Sequence, residues 1–268
     1  MPKDLTATKC LIGINILIFA LSTYFASTKG ILRELLPLYF PLNGSFHPWQ
    51  FVTTMFMHGS PLHLFMNMFA LFSFGTLLER IWGAKRFLIF YFAAGIGASL
   101  VYTSVNYMEY TSTRSQLEEC GVNQSTFYHL EERQNYIRFE NTLKTRAPKA
   151  FKTVGGETIR ENMSYNFITP AVGASGAIYG ILVAFGMLFP NAKLSLLFIP
   201  VPVAAKYIIP ALLGFDLFSE FTGFSLFGGG FGGGIAHFAH LGGALSGFLL
   251  MMLWKKKFPA PQYAFRPE

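Results

Sequence analysis

The fold of this chain is decided by residues 171–190, AVGASGAIYGILVAFGMLFP, a stretch of sequence without a charged side chain. At about 1.5 Å per residue, a helix of this length crosses most of a lipid bilayer. Ser175 and Tyr179 stand near its start among glycines, a mixture that a helix facing lipid does not need. Gly176 and Gly180 are four residues apart, so they share one helix face and allow another helix to approach closely. The stretch predicts a membrane helix whose serine packs against a partner helix.

Ser175 has two interpretations. It is either one of the small residues common in membrane helix packing, with its hydroxyl bonded to a backbone carbonyl, or a functional group. The stretch alone leaves both open, and the choice depends on the rest of the chain.

The composition is that of an integral membrane protein. Of 268 residues, 52% are hydrophobic and 13% are charged, whereas about 25% of a typical soluble domain is charged. The net charge of +7 comes from short Lys and Arg clusters beside apolar segments, and no basic stripe interleaved with aromatic residues appears. Nucleic acid is therefore not expected as a partner. Cys10 and Cys120 form neither a disulfide framework nor a CxxC motif.

Six apolar segments predict an all-α polytopic membrane protein with six transmembrane helices: residues 10–26, 62–78, 86–106, 171–190, 204–221 and 235–254. The first segment also suits a signal peptide, although it is longer than the usual apolar region of one. The expected organisation is as follows: helices one to three in 1–106, an extracytoplasmic insertion in 107–170, helices four to six in 171–254 and a basic tail in 255–268.

The segments between the spans differ in character. Residues 107–170 hold more than half of the acidic residues and are expected to be helical or partly disordered. Residues 28–50, rich in proline and aromatic residues, are expected at the lipid boundary. Prolines interrupt 191–205, and the glycines of 228–234 are typical of a mobile loop. Lys and Arg concentrate at the two termini and in the loops that follow the second and fourth spans. This distribution predicts that the termini are cytoplasmic and that the insertion lies outside.

Polar side chains inside hydrophobic spans are costly and by default indicate function. They fall in three predicted spans that run in the same direction: His63 and Asn67 in the second, Ser175 and Tyr179 in the fourth, His237 and His240 in the sixth. Asn67, Ser175 and His240 lie five or six residues from the loop ends, about 7 to 9 Å along a helix. The matched depth predicts one site that opens to the outer side.

The residue types indicate nucleophilic chemistry. A serine hydroxyl needs a base, and the neutral imidazole of His240 is tolerable in a membrane where a carboxylate is expensive, so a Ser-His dyad is expected. His63 and Asn67 share a face and can donate hydrogen bonds to an oxyanion, as can backbone amides of the glycines beside Ser175, Gly173 included.

Three other polar residues are interpreted without a catalytic role. His237 is expected to bond to a neighbouring span, and Asp216 and Glu220 are expected at the membrane boundary, solvated and outside the site.

Three motifs resemble the signatures of rhomboid intramembrane serine proteases: Gly173-Ala174-Ser175-Gly176 with Tyr179, His63 with Asn67, and Ala239-His240-Leu241-Gly242-Gly243. The similarity covers roughly residues 45–106 and 168–254, and the motifs occur in the family's order on the second, fourth and sixth spans. The expected fold is therefore a rhomboid-like bundle in a bacterial inner membrane.

The resemblance implies a role for each matching residue. Ser175 is the expected nucleophile and His240 the general base and acid; His63, Asn67 and the backbone around Ser175 form the oxyanion hole. Tyr179 stacks on His240, and His58 orders the first loop by hydrogen bonding. The implied partners are the lipid bilayer and transmembrane protein substrates, no cofactor is required, and the oligomeric state stays open.

The chain also departs from the family pattern. It carries Trp49-Gln50 where the family often has Trp-Arg, and its insertion at 107–170 is longer than in compact members. Two rival functions stay open: a catalytically silent, rhomboid-like factor that binds membrane proteins, and a metal site built from His58, His63, His237 and His240. No HExxH motif accompanies these histidines.

Overall fold

The computed structural model describes residues 6–24, 30–131, 136–196, 199–222 and 237–254. The described helices are α1 (Ala7–Tyr24), α2 (Ile31–Leu35), α3 (Gln50–Thr53), α4 (Pro61–Ala70), α5 (Thr76–Trp82), α6 (Ala84–Glu119), α7 (Gln124–Glu131), α8 (Tyr136–Arg146), α9 (Pro148–Val154), α10 (Gly156–Arg160), α11 (Asn166–Ile168), α12 (Ser175–Leu188), α13 (Ala205–Thr222) and α14 (His237–Trp254). The strands β1 (Lys193–Leu196) and β2 (Ile199–Ala204) form an antiparallel hairpin. A π-helical turn, Leu71–Gly75, joins α4 and α5 into one rod.

The fold is an all-α membrane bundle. Four rods are long and apolar enough to cross a bilayer: α1, α4 with α5, α6, and α14. Helix α12 is apolar but has only 14 residues, and α13 has 18 residues that include Lys206, Asp216 and Glu220. These six rods correspond to the six predicted spans.

Helix α12 is the centre of the bundle. It packs between α6 and α14, while α13 packs against both α12 and α14. Ten of its 14 residues are buried, which explains why its sequence is apolar on every side. The residue that begins this central helix is Ser175.

Two segments differ from the prediction. Helix α6 does not end at Asn106 but continues to Glu119, giving 36 residues and a length of about 54 Å. Part of 191–205, expected to be irregular, forms the β1–β2 hairpin. The glycine cluster at 228–234 lies outside the described residues.

The insertion is helical and has a hydrophobic core of its own. The C-terminal half of α6 packs with the following short helices. The buried members of this second core are Phe40, Tyr110, Leu117, Val122, Phe127, Phe139, Leu143, Ala150, Ile159, Met163 and Phe167. Phe40 comes from the first loop, and its ring centroid lies 5.1 Å from that of Tyr110. The insertion is therefore packed onto the loop that follows α1.

Candidate active site

Ser175 and His240 are in hydrogen-bonding contact. Ser175 is the first residue of α12, and His240 lies in the first turn of α14. The Ser175 Oγ and the His240 Nε2 are 2.9 Å apart. Two residues separated by 65 positions in sequence thus meet where two central helices begin, which is the arrangement that the matched depths predicted.

Tyr179 stacks on the His240 ring. It lies one turn beyond Ser175 on α12, and the two ring centroids are 4.3 Å apart with an angle of 8° between their planes. Parallel contact over a whole ring face restricts rotation of the imidazole. Tyr179 therefore helps to hold His240 Nε2 towards Ser175.

Glycines bring α12 and α14 together. A Cβ at Gly243 would overlap the backbone of Gly176, and a Cβ at Gly247 would come within 2.5 Å of the Gly180 Cα. Such close backbone approach is possible only without side chains at the contact. The close-packing role predicted for Gly176 and Gly180 is confirmed, and this contact sets the separation of the helices that carry Ser175 and His240.

Asp216 belongs to the site, and the expectation that it is solvated at the membrane boundary is wrong. Its side chain is buried, and its Oδ1 lies 2.7 Å from His237 Nδ1 and 3.1 Å from His240 Nδ1. The contact of α13 with α14 carries the carboxylate inward. The predicted bond from His237 to a neighbouring span is confirmed, since Asp216 lies on α13. The side chain of Glu220 lies outside the described part of the structure.

The N-terminal cap of α4 places His63 beside Ser175. Ser60 is the N-cap of α4, its Oγ accepts a hydrogen bond from the His63 amide at 3.1 Å, and Pro61 occupies the first turn. The His63 ring lies so close to Gly173 that a Cβ there would come within 2.9 Å of its Nε2 and 3.4 Å of the Ser175 Oγ. The ring therefore faces the space next to the serine hydroxyl.

His58 packs against His63 and lies against the backbone of Phe56, just before α4. Its buried ring meets the His63 ring edge-on, with centroids 5.1 Å apart. A weak hydrogen bond to the Phe56 backbone ties the ring to the segment before α4. Burial, reinforced by the neighbouring His63, lowers the pKa of His58 to about 3, so this ring is neutral.

Asn67 carries an unused donor. It lies one turn after His63 on α4 and is buried, yet its Nδ2 has no hydrogen-bond partner among the described residues. An unpaired buried amide costs about 1–3 kcal/mol. A protein retains such a group at low cost only where a ligand or water can accept its hydrogen bond.

Gly173 does not contribute its amide to the site. The Gly173 N–H donates to the Thr54 carbonyl at 3.0 Å, so it is already paired. Its φ of 132° lies in a region that glycine tolerates and other residues avoid. The role left to Gly173 is to turn the chain into α12, whereas the first amides of that helix, beginning with Ser175, have no intrahelical acceptor.

The first loop fixes the segment that precedes Ser175. Leu38 and Ala171 exchange backbone hydrogen bonds of 3.0 and 2.9 Å, and the Thr54 Oγ1 donates to the Ala171 carbonyl at 2.6 Å. Gln50 holds the loop itself: it is fully buried and bonds to the backbone of Leu35, Tyr39, Ser45 and His47. Gln50 thus organises the loop at the position where the family often has arginine.

Replacing Gln50 with leucine is expected to lower both stability and activity. The substitution keeps the volume but leaves three backbone groups without partners, at about 1–3 kcal/mol for each one that stays buried. The fourth, the Leu35 carbonyl, still accepts a hydrogen bond from Trp49 Nε1. We expect a lower melting temperature in detergent and, for the protease that the sequence predicts, slower cleavage of a reporter membrane protein, because the loop positions Ala171. Gln116→Leu, at an exposed site on α6, is the control. Equal behaviour of the two variants would contradict this role for Gln50.

A small cavity adjoins the serine. It has a volume of about 30 Å³, and its polar lining includes Thr54, Ser99, Tyr102 and Ser175. A cavity of this size with several polar partners is large enough to hold a water molecule. Water can therefore be held beside Ser175 within the bundle.

Comparison with known proteins places this fold and site in a family. A family model described as the Rhomboid domain matches residues 45–117 and 148–257, which is more than half of the chain. The chain is 27% identical over 248 residues to "Rhomboid protein 1, mitochondrial" of Saccharomyces cerevisiae, covering 92% of this chain and 52% of that protein. It is 44% identical over 52 residues to "Rhomboid protease GluP" of Bacillus subtilis, covering 19% of this chain and 10% of that protein.

A third relative is "Presenilin-associated rhomboid-like protein A, mitochondrial" of Danio rerio, 25% identical over 214 residues, with 78% of this chain and 39% of that protein covered. The chain therefore spans about half or less of the length of these relatives. The family match covers five of the six rods, all except α1, and includes Ser175, His240 and Asp216. The chain belongs to the rhomboid family.

Proposed function

We propose that this protein is an intramembrane serine endopeptidase that cleaves peptide bonds in or beside transmembrane segments of other membrane proteins. The proposal rests chiefly on one observation, the 2.9 Å contact between Ser175 Oγ and His240 Nε2 under the stacked Tyr179 ring. Serine and histidine in this geometry form a nucleophile and its base. No cofactor takes part in this chemistry.

The reaction proceeds in two proton-balanced halves. Ser175 Oγ attacks the scissile carbonyl carbon while its proton passes to His240 Nε2, and the proton then moves to the leaving amine as the C–N bond breaks. Water attacks the resulting acyl-serine, gives its proton to the same nitrogen, and releases a carboxylic acid product while Ser175 regains its hydrogen. The cavity beside Ser175 supplies a place for that water.

The negative charge on the carbonyl oxygen needs donors that are already in place. His63 lies beside Ser175, Asn67 has a buried Nδ2 without a described partner, and the Ser175 amide begins a helix. These three groups are the proposed oxyanion hole. Transmembrane helices that unwind easily, with a small residue before the cleaved bond, are the proposed substrates.

Names among the relatives support proteolysis at the level of the family, since "Rhomboid protease GluP" and "Rhomboid-like protease 3" of Toxoplasma gondii are named as proteases. The alternative is a silent binding factor of the same fold. A binding factor does not need a serine that is hydrogen-bonded to a histidine. The presence of that pair therefore favours the protease over the binding factor.

The proposed location is the inner (plasma) membrane of a bacterium, with both termini in the cytoplasm and the insertion outside. Most of the relatives carry "mitochondrial" in their names, and one relative comes from Bacillus subtilis. The orientation rests on the asymmetric distribution of Lys and Arg.

Labelling of Cys120 tests the orientation. This thiol is exposed on the insertion, whereas Cys10 lies in α1. A membrane-impermeant maleimide added to intact cells is expected to label the protein, and Cys120→Ser is expected to remove the signal. Labelling that requires cell lysis would place the insertion in the cytoplasm and contradict the proposal.

The catalytic proposal is tested with the purified protein in detergent. A fluorophosphonate probe is expected to label the wild-type chain at Ser175, as located by mass spectrometry, and to block cleavage of a reporter membrane protein. A wild-type protein that neither reacts with the probe nor cleaves a panel of transmembrane reporters would favour the binding factor.

A further inference from the structure

The carboxylate of Asp216 lies between two histidines. A single oxygen, Oδ1, is 2.7 Å from His237 Nδ1 and 3.1 Å from His240 Nδ1, and all three side chains are largely buried. A carboxylate oxygen accepts hydrogen bonds, so each ring nitrogen that contacts it must carry a hydrogen. When Nδ1 of a neutral histidine carries the hydrogen, Nε2 has the lone pair.

We propose that Asp216 is a positioning residue for His240, so that the proposed protease operates with a Ser-His-Asp arrangement rather than a dyad. Asp216 fixes the His240 tautomer in which Nε2 accepts the Ser175 proton, and His237 holds the carboxylate in place. This inference rests on the proposed function. It corrects the expectation that a membrane enzyme of this kind has no acidic third member.

The arrangement stabilises the charge that forms during the reaction. When Ser175 Oγ bonds to the substrate carbon, its proton moves to His240 Nε2 and the ring becomes a cation. Asp216 stays ionised, and its attraction to that cation is strong because both groups are buried. When the proton passes on to the leaving amine, the ring returns to its neutral form with Nδ1 still protonated.

Burial of a carboxylate within a bundle is costly unless hydrogen bonds compensate for it. Here two imidazole N–H groups from α14 converge on one oxygen, and the hydroxyl of Tyr179 on α12 lies within electrostatic reach of the same carboxylate. His237 therefore has a function even though it does not contact Ser175: it supplies the second donor that keeps Asp216 ionised beside His240.

Asp216, His237 and His240 are also close enough together to bind a metal ion, since their ligand atoms lie within 4.8 Å of one another. The separations of 2.7 and 3.1 Å are those of direct hydrogen bonds, and Oδ1 itself occupies the point at which both nitrogens converge. The geometry favours hydrogen bonding, and a chelator distinguishes the two readings.

Kinetics of two substitutions provide the first test. Asp216→Asn keeps the size but presents an amide donor that favours the wrong His240 tautomer; the same change in a soluble Ser-His-Asp protease lowers kcat about 10⁴-fold. We expect kcat to fall at least about 100-fold with KM changed less than threefold. Asp216→Glu is expected to be more active than Asp216→Asn. A purely structural role predicts the opposite order, because asparagine fits the space better.

The matched control is Leu217→Ala, at the neighbouring exposed position of α13, which is expected to retain wild-type kcat. All assays are run with and without EDTA. Loss of wild-type activity in EDTA, restored by Zn²⁺, would assign the three side chains to a metal and overturn the positioning role.

The tautomer can be observed directly in the wild-type protein. With ¹⁵N-labelled histidine, the His240 signals are identified by their loss in His240→Gln. We expect Nδ1 of His240 to be protonated in the wild type and Nε2 to be protonated in Asp216→Asn. A wild-type His240 protonated on Nε2 would overturn the inference whatever the variants do.

The outcomes separate the inference from the proposed function. If Ser175→Ala is inactive while Asp216→Asn keeps kcat within threefold of wild type, the protease assignment stands and the role of Asp216 is wrong. If the wild-type chain neither cleaves reporters nor reacts with the fluorophosphonate probe, the protease assignment itself fails.

Discussion

Replacing Ser175 with alanine is expected to abolish cleavage of a reporter membrane protein, and His240→Ala is expected to do the same. The first variant removes the proposed nucleophilic oxygen, and the second removes the proposed proton acceptor 2.9 Å from it. In a soluble serine protease, loss of either partner lowers kcat about 10⁶-fold. Here the residual rate should fall below detection in a gel-based assay.

The reductions in kcat caused by Ser175→Ala and His240→Ala are not expected to be additive. Once the nucleophile is absent, the base has no proton to take, so the double variant should resemble each single one. Melting temperatures in detergent should stay near wild type for Ser175→Ala, because Ser175 lies at the start of its helix and is only partly buried.

Ser73→Ala is the matched control for these variants. The Ser73 hydroxyl donates to the Phe69 carbonyl of its own helix at 2.8 Å, which is the structural role once open for Ser175. It should retain full activity. Cleavage by Ser175→Ala at the wild-type rate would show that the serine does not perform the chemistry.

Replacing Gly243 with valine is expected to eliminate activity by a different route. Any Cβ at this position overlaps the backbone of Gly176, so α12 and α14 must move apart. Ser175 adjoins Gly176 and His240 lies one turn before Gly243, and the catalytic contact opens with the helices. Overpacking of this kind costs about 1–3 kcal/mol or more. Both the melting temperature and the cleavage rate should drop, with Gly243→Ala intermediate.

Gly214→Ala is the control for that substitution. Gly214 is also a helical glycine, on α13, but a Cβ there would meet no described atom within 4 Å. Alanine also has the higher helix propensity, so stability should be unchanged or slightly increased. If Gly243→Val melts and cleaves as the wild type does, the glycine contact does not set the distance between Ser175 and His240.

The parts of the site that lie on regular spans were predictable from sequence. In a membrane helix, position along the chain fixes depth, and a spacing of three or four residues fixes the face. These two rules suffice to bring Ser175 level with His240 and to put Tyr179 on the same face as Ser175. The packing glycines follow from the same periodicity.

Asp216 and Gln50 were missed because their environments depend on tertiary contacts. A carboxylate near the end of a span is usually solvated, and only the packing of α13 against α14 buries this one beside two histidines. Gln50 begins the short helix α3, and its partners come from residues 35–47, which no periodic pattern brings together.

The remaining differences also have physical reasons. The β1–β2 hairpin contains prolines, which normally argue against strands, but both strands of a two-stranded ribbon are edges and tolerate a missing donor. Helix α6 continues past the apolar segment because no glycine or proline interrupts it after Gly97 until Gly121, whose φ of 87° suits a helix end.

The length of α6 has a mechanical consequence. Its N-terminal half places Ala94 and Ala98 against Gly180 and Gly176 of α12, and its C-terminal half carries Tyr110 and Leu117 into the core of the insertion. One continuous helix thus belongs to both the membrane bundle and the insertion. Force applied to the insertion by a bound protein must therefore either bend α6 or tilt it against α12, the helix that begins with Ser175.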